Sequence, residues 1–240
     1  MHLFCEPLSA DSGDACPIRD DAGRILARLW RQSISWACSD GRLELFVLAS
    51  APLPLPASEA SEPVASALGR LHRAVAGTGA LLLLAQPATA FGVERILLAA
   101  GVRLFGIASD ADLSCWDAAL SAGQPVFGVR GTVVTNATRG DALAMLSALA
   151  YGNFHCEEGL HLTRCDETPQ GVDLETEAPV TATVVVRGGF EAAHMSGTHL
   201  VWRDQGHEGY VRLVLHNAAG TCWTQPRFVA SHAERSHGHH

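Results

Sequence analysis

The stretch Ser114–Thr135, SCWDAALSAGQPVFGVRGTVVT, decides how the chain reads. Trp116, Leu120 and the alanines between them recur at helical spacing, and Gly123 is a natural residue for a helix C-terminus. Pro125–Val129 is a short apolar run of the kind a buried parallel strand gives. Helix, tight turn and strand form the last step of an α/β unit whose strand points at Arg130–Thr135. Chemistry collects at the carboxyl ends of parallel strands, so Arg130–Thr135 is expected to be a site loop. It holds no carboxylate, histidine or cysteine.

Upstream, strands and helices alternate. Leu3–Leu8 reads as a first strand, followed by an acidic loop from Asp11 to Asp21. Ala22–Ser33 has helical periodicity through Ile25, Leu26, Leu29 and Trp30. Ser39-Asp40-Gly41 is a turn signal before a strand at Leu43–Ala49. The prolines of Ala51–Ala57 exclude a helix and mark an extended surface loop. Pro63–Ala76 and Val93–Ala100 read as helices, and Gly79–Ala85 and Val102–Ala108 as buried strands. Asp141–Ala150 closes the series as a helix. Alternation of this kind implies parallel β-structure with right-handed crossovers.

After Tyr151-Gly152 the pattern changes to short β-type runs at Leu160–Arg164, Val180–Arg187, His199–Trp202, Tyr210–His216 and Cys222–Val229. Gly188-Gly189 and Asn217–Gly220 read as hairpin connections. The expected organisation is a βα barrel over residues 1–150, a β-sandwich-like module over 151–230 and a disordered tail over 231–240.

The 240 residues, 48% hydrophobic and 18% charged, describe a globular chain with enough apolar side chains for real cores. A net charge of -8 without a basic stripe argues against nucleic acid as a partner. The seven cysteines form no C-x-x-C pair, and the start carries no basic segment followed by an apolar one. No apolar run approaches the ~18 residues of a membrane-spanning helix. A cytoplasmic protein without membrane association is the expectation.

Local motifs are weak. Gly77-Thr78-Gly79 precedes its strand, whereas a dinucleotide loop follows one. His155, Cys156, His161 and Cys165 lie close together, but their spacing fits no common zinc pattern, and residues next to one another on a strand face opposite ways. His194, His199 and His207 are spread over separate segments, and the terminal histidines would bind metal only adventitiously. Cys5 and Cys115 have no assignable base, and cysteine is more often a small buried residue.

Leu120–Val129, Asp141–Gly159, the segment Gly209–Leu215 and the segment Gly220–Phe228 resemble the PHP family (polymerase and histidinol phosphatase), in its two-domain bacterial hydrolase branch. The resemblance implies an α/β fold: a shortened, distorted, TIM-related βα barrel followed by a small all-β module. PHP enzymes hold two or three metal ions at strand ends and hydrolyse phosphoesters with a metal-bound hydroxide. The positions matching the family's ligands are Phe4, Glu6, Gln86, Val133 and Thr135. Phe and Val cannot ligate, and Gln and Thr are poor neutral ligands for a zinc-type ion. Only Glu6 keeps a strong donor, and without further imidazole or anionic ligands such a site neither holds a metal nor lowers the pKa of its water.

The resemblance therefore implies a pseudoenzyme with no catalytic residue and no metal cofactor. It would bind a small molecule or a protein partner, an active relative included, at a barrel pocket lined by Glu6, Gln86, Asp110, Arg130, Thr132 and Thr135. The alternative is a phosphoesterase with a rebuilt zinc, manganese or iron site drawing on Glu6, Asp11 or Asp14, His72 and Asp110.

Overall fold

The expected site loop Arg130–Thr135 is mostly a strand. The computed structural model describes residues 3–5, 15–59, 61–136, 140–168 and 170–229, and within it Thr132–Thr135 pairs antiparallel with Leu3–Cys5. The chain divides into two compact units, Met1–Phe154 and His155–His240.

The first unit holds strands β1 (Leu3–Cys5), β2 (Ala15–Arg19), β3 (Ile25–Cys38), β4 (Gly41–Ala49), β5 (Leu81–Leu84), β6 (Leu104–Gly106), β7 (Phe127–Val129) and β8 (Thr132–Thr135). Its helices are α1 (Val64–Val75), the short α2 (Pro87–Ala90) and α3 (Gly92–Arg95), α4 (Asp110–Ser121) and α5 (Ala142–Tyr151). The strand order β8-β1-β2-β3-β4-β5-β6-β7 makes one mixed sheet, parallel only at β5/β6 and β6/β7. This overturns the βα barrel. Of the described residues, 47% are in strands against 23% in helices, and the order runs open from β8 to β7 without closing.

The largest departure is β3. Ile25 and Leu26, half of the apparent helical stripe, are exposed, while Leu29 and Arg31 are buried at a spacing of two. Asp20 prepares the hairpin before it, accepting hydrogen bonds from the backbone of Ala22 (3.0 Å) and Arg24 (2.9 Å), with Gly23 at positive φ. The expected acidic loop thus contains a strand, β2. Ser39-Asp40 then reverses β3 into β4, with Cys38 facing Gly41.

Asp40 also accepts from the backbone of Val64 at 2.8 Å, capping α1, whose own N-cap residue is Pro63. The buried face of α1 is Val64, Ala67, Leu68, Leu71 and Val75, at the spacing an amphipathic helix requires. The quoted stretch does fold as helix, turn and strand. Trp116 of α4 donates its indole N–H to the Val126 carbonyl at 3.0 Å and lies over Gly128 of β7.

Among its described residues the second unit has one short 3-10 turn and otherwise only strands as regular elements: β9 (His155–Glu158), β10 (Leu162–Thr168), β11 (Gly171–Val186), β12 (Phe190–Arg203), β13 (Tyr210–Asn217), β14 (Gly220–Thr224) and β15 (Arg227–Phe228). The order is β10-β11-β13-β14-β9, with β12 along β11 and β15 along β13, all antiparallel. The pairing of β11 with β12 is irregular between Glu175 and Val180. Before that break β11 pairs β10, and after it β13, so one long strand serves two groups of partners. Leu162, Leu174, Val184, Leu200, Leu213 and Cys222 lie in their common core.

Candidate metal centre

The positions carried over from the PHP resemblance are scattered. Glu6, Asp11, Asp14 and residues 231–240 lie outside the described residues. Phe4 pairs with Val134, whereas Val133 faces Cys5 and Thr135 faces Leu3. Val133 is buried, and Thr135 is buried with its hydroxyl donating to the Asn153 carbonyl at 2.6 Å. Gln86 is exposed after β5, four strands from β1 in the order, or about 19 Å of sheet at ~4.8 Å per strand. Asp110 is exposed in the first turn of α4, and His72 is exposed on α1. Arg130 and Thr132 are half-buried at the start of β8. Three antiparallel strands, β2, β3 and β4, separate β1 from β5 where a barrel pocket would need their ends to converge.

A different set of side chains does converge, at β9 and β14. The antiparallel register places Cys222 opposite Glu157 and Thr224 opposite His155. Directly opposed residues share a sheet face, as do residues two apart on one strand. His155, Glu157 and Cys222 therefore point the same way, and Cys156 points the other. One potential ligand atom from each of His155, Glu157 and Cys222 lies within 4.8 Å of the other two, and all three residues are buried.

Local geometry fastens the cluster. Gly159 follows β9 at φ 81°, and a Cβ there would meet the Ala219 carbonyl oxygen at 2.3 Å, so only glycine makes this reversal. The turn brings the next residues back onto Glu157. Its Oε1 accepts from the Leu162 backbone N–H at 3.0 Å and from His155 Nε2 at 2.9 Å. Its Oε2 accepts from His161 Nδ1 at 2.6 Å. Burial works to raise the Glu157 pKa, but the hydrogen bonds from His155, Leu162 and His161, with the field of His155, outweigh it. The group is held below the ordinary range as a carboxylate. Cys222 is the reverse: burial first, then the nearby Glu157, Cys156 and Cys165, push its thiol well above the ordinary value.

Nucleophilic catalysis is a poor use of this trio. Cys222 is 0% exposed and held as a thiol, so no substrate reaches it and no thiolate forms near neutral pH. Metal ligation suits it better. Imidazole, carboxylate and thiolate are the donors of zinc-class ions, and closed burial is the habit of structural sites. Two nitrogen or oxygen ligands of a tetrahedral zinc stand ~3.3 Å apart, from bonds of ~2.0–2.1 Å. A small opening of the present contacts would admit an ion, which would displace the protons now held between the groups.

The sequence reading noted His155 and His161 but missed Glu157 and Cys222. His155-x-Glu157 on a strand was a usable signal, whereas Cys222 joins only through the β9/β14 register. Cys165 packs against the apolar core, and His199 pairs with Asp173 at 2.9 Å.

Comparison with family models, with curated proteins and with solved structures finds no match. The PHP resemblance receives neither support nor refutation from them. Among the described residues no helix is long and apolar enough to cross a membrane.

Proposed function

We propose that this is a non-catalytic, metal-binding protein whose second unit takes one zinc-class ion at His155, Glu157 and Cys222. The mutual approach of these three buried donors, within 4.8 Å, carries the reading. His161 would then act from outside, hydrogen-bonding the ligating carboxylate as outer partners of metal sites do. A dication would reverse the forces on Cys222, drawing off the thiol proton that burial now retains.

Cobalt(II) titration of protein trimmed of residues 231–240 tests this, because the tail histidines would otherwise compete. The expected result is a single saturable site with a thiolate-to-cobalt charge-transfer band, zinc displacing the cobalt. Cys222→Ser should lose the band and His155→Ala the stoichiometric binding. Absence of stoichiometric metal in the parent, or a band that survives Cys222→Ser, would overturn the proposal.

A further inference from the structure

The three donors of the candidate centre are closed off from water. Cys222 is 0% exposed, and the side chains of His155 and Glu157 are 5% and 3% exposed. An ion that reaches them has to pass a group that meets solvent. Among the described residues one exposed side chain is hydrogen-bonded to the trio, that of His161, at 74%. Leu160 and Leu162 on either side of it lie in the apolar core of the unit, which leaves His161 between them on the water side.

Glu157 joins the inside to the outside. Its Oε1 is the inner oxygen, fixed by the Leu162 N–H at 3.0 Å and set 2.9 Å from His155 Nε2. Its Oε2 is the outer oxygen, 2.6 Å from His161 Nδ1. Two donors straddling a zinc-class ion stand ~3.3 Å apart, so an opening of ~0.7 Å between Nδ1 and Oε2 makes a two-donor station at the surface. The neutral ring frees its Nδ1 lone pair without net loss of a proton, by giving that hydrogen to water and taking one up at Nε2. From Oε2 the ion has only to cross one carboxylate to reach Oε1, His155 and Cys222. Sulfur releases its thiol proton to water as it binds the ion. The ring hydrogen then returns to Nδ1, which holds Oε2 from outside.

We infer that His161 is the loading residue of this site: with Glu157 Oε2 it takes a zinc-class ion from water and passes it inward, and so governs how fast the site fills and empties. The inference rests on the metal reading above and adds to it a role in rate that is separate from affinity. Stopped-flow mixing of cobalt(II) with the full chain tests it. The thiolate-to-cobalt band, lost in Cys222→Ser, reports arrival at the buried sulfur and is blind to ions on the tail histidines. His161→Asn sets an amide N–H near the place of Nδ1 and keeps a donor for Oε2, but an amide is a poor ligand for these ions. In that variant growth of the band should slow about tenfold or more, and its decay in excess chelator by a similar factor, with the equilibrium affinity nearly unchanged. His161→Ala, which also loses the hydrogen bond, should load slowly and bind about 10–100-fold more weakly. A residue that only braced the carboxylate would leave His161→Asn at the parent rates. That result, with a Cys222-dependent band in the parent, would overturn the loading role and leave the metal reading standing. A parent without the band would overturn both.

Discussion

Replacing Glu157 with alanine tests the centre of the second unit most directly. The carboxylate accepts from a buried backbone N–H at Leu162 and from the buried His155, while its third partner, His161, has a side chain 74% exposed. Removing it leaves two buried donors unpaired, at ~1–3 kcal/mol each. The exposed His161 adds little, because solvent screens it. The sum is about 2–6 kcal/mol, a range that brackets the ~3–5 kcal/mol cost of breaking a buried pair by removing one partner. Glu157→Gln keeps one acceptor for the Leu162 N–H and should cost about half as much.

Urea unfolding of tail-trimmed protein in chelator, followed by circular dichroism and tryptophan fluorescence, measures this. Trp223 on β14 lies opposite Cys156 and gives the second unit a local reporter. In zinc at a hundred times its dissociation constant the parent should gain about 2.7 kcal/mol and Glu157→Ala nothing. If Glu157→Ala unfolds within ~0.5 kcal/mol of the parent in chelator, the carboxylate does not hold β9 and its following turn together, and the reasoning fails.

Gly128→Ala should destabilise the first unit by about 1–3 kcal/mol, since its Cβ would meet the Trp116 ring at 2.7 Å in a buried setting; urea midpoints should show the loss. Cys115 should resist iodoacetamide at pH 8 in native protein and react once unfolded, while the half-buried Cys38 labels ahead of it, as peptide mass mapping would show. Burial first, and then the charge of Asp112, push the Cys115 thiol up to about 11. The stability tied to its retained proton is therefore complete below about pH 9, the ordinary thiol value, and lost as pH climbs to about 11. Midpoints that stay flat across that window in parent and Cys115→Ser alike would refute this linkage.

Elements encoded by local pattern are legible in the sequence. Val64–Val75 declares itself by its stripe of buried residues, and Phe127–Val129 by its run after Gly123. The barrel failed because β3 hides its period. Leu29 and Arg31 are buried on one parity and Ile34 on the other, so no single alternation runs its length. The inward Arg31, stacked 5.0 Å over the Phe46 ring, also breaks the apolar pattern a strand is expected to show. With β3 misread as helix, the antiparallel half of the sheet became a false βα unit. Strands β11 and β12 were found only in part for a related reason. Pro179 and the irregular pairing around it interrupt β11, and β12 is largely exposed.

The convergence of Glu157 and Cys222 had no local signature at all. The β13/β14 hairpin is signalled by Asn217–Gly220, but β14 meets β9 across a long span of chain, and only their register brings the cysteine to the carboxylate. That register is itself chemically enforced. A one-residue slip of β9 would carry Glu157 to the opposite face, away from the Leu162 N–H and Cys222, and would bring Cys156 round in its place. The slipped arrangement would strand a carboxylate among apolar side chains, the costliest exchange a β-sheet can make. The polar trio thus fixes the alignment of two strands whose apolar residues would tolerate others, and this alone is reason for a buried glutamate to sit where a leucine would pack.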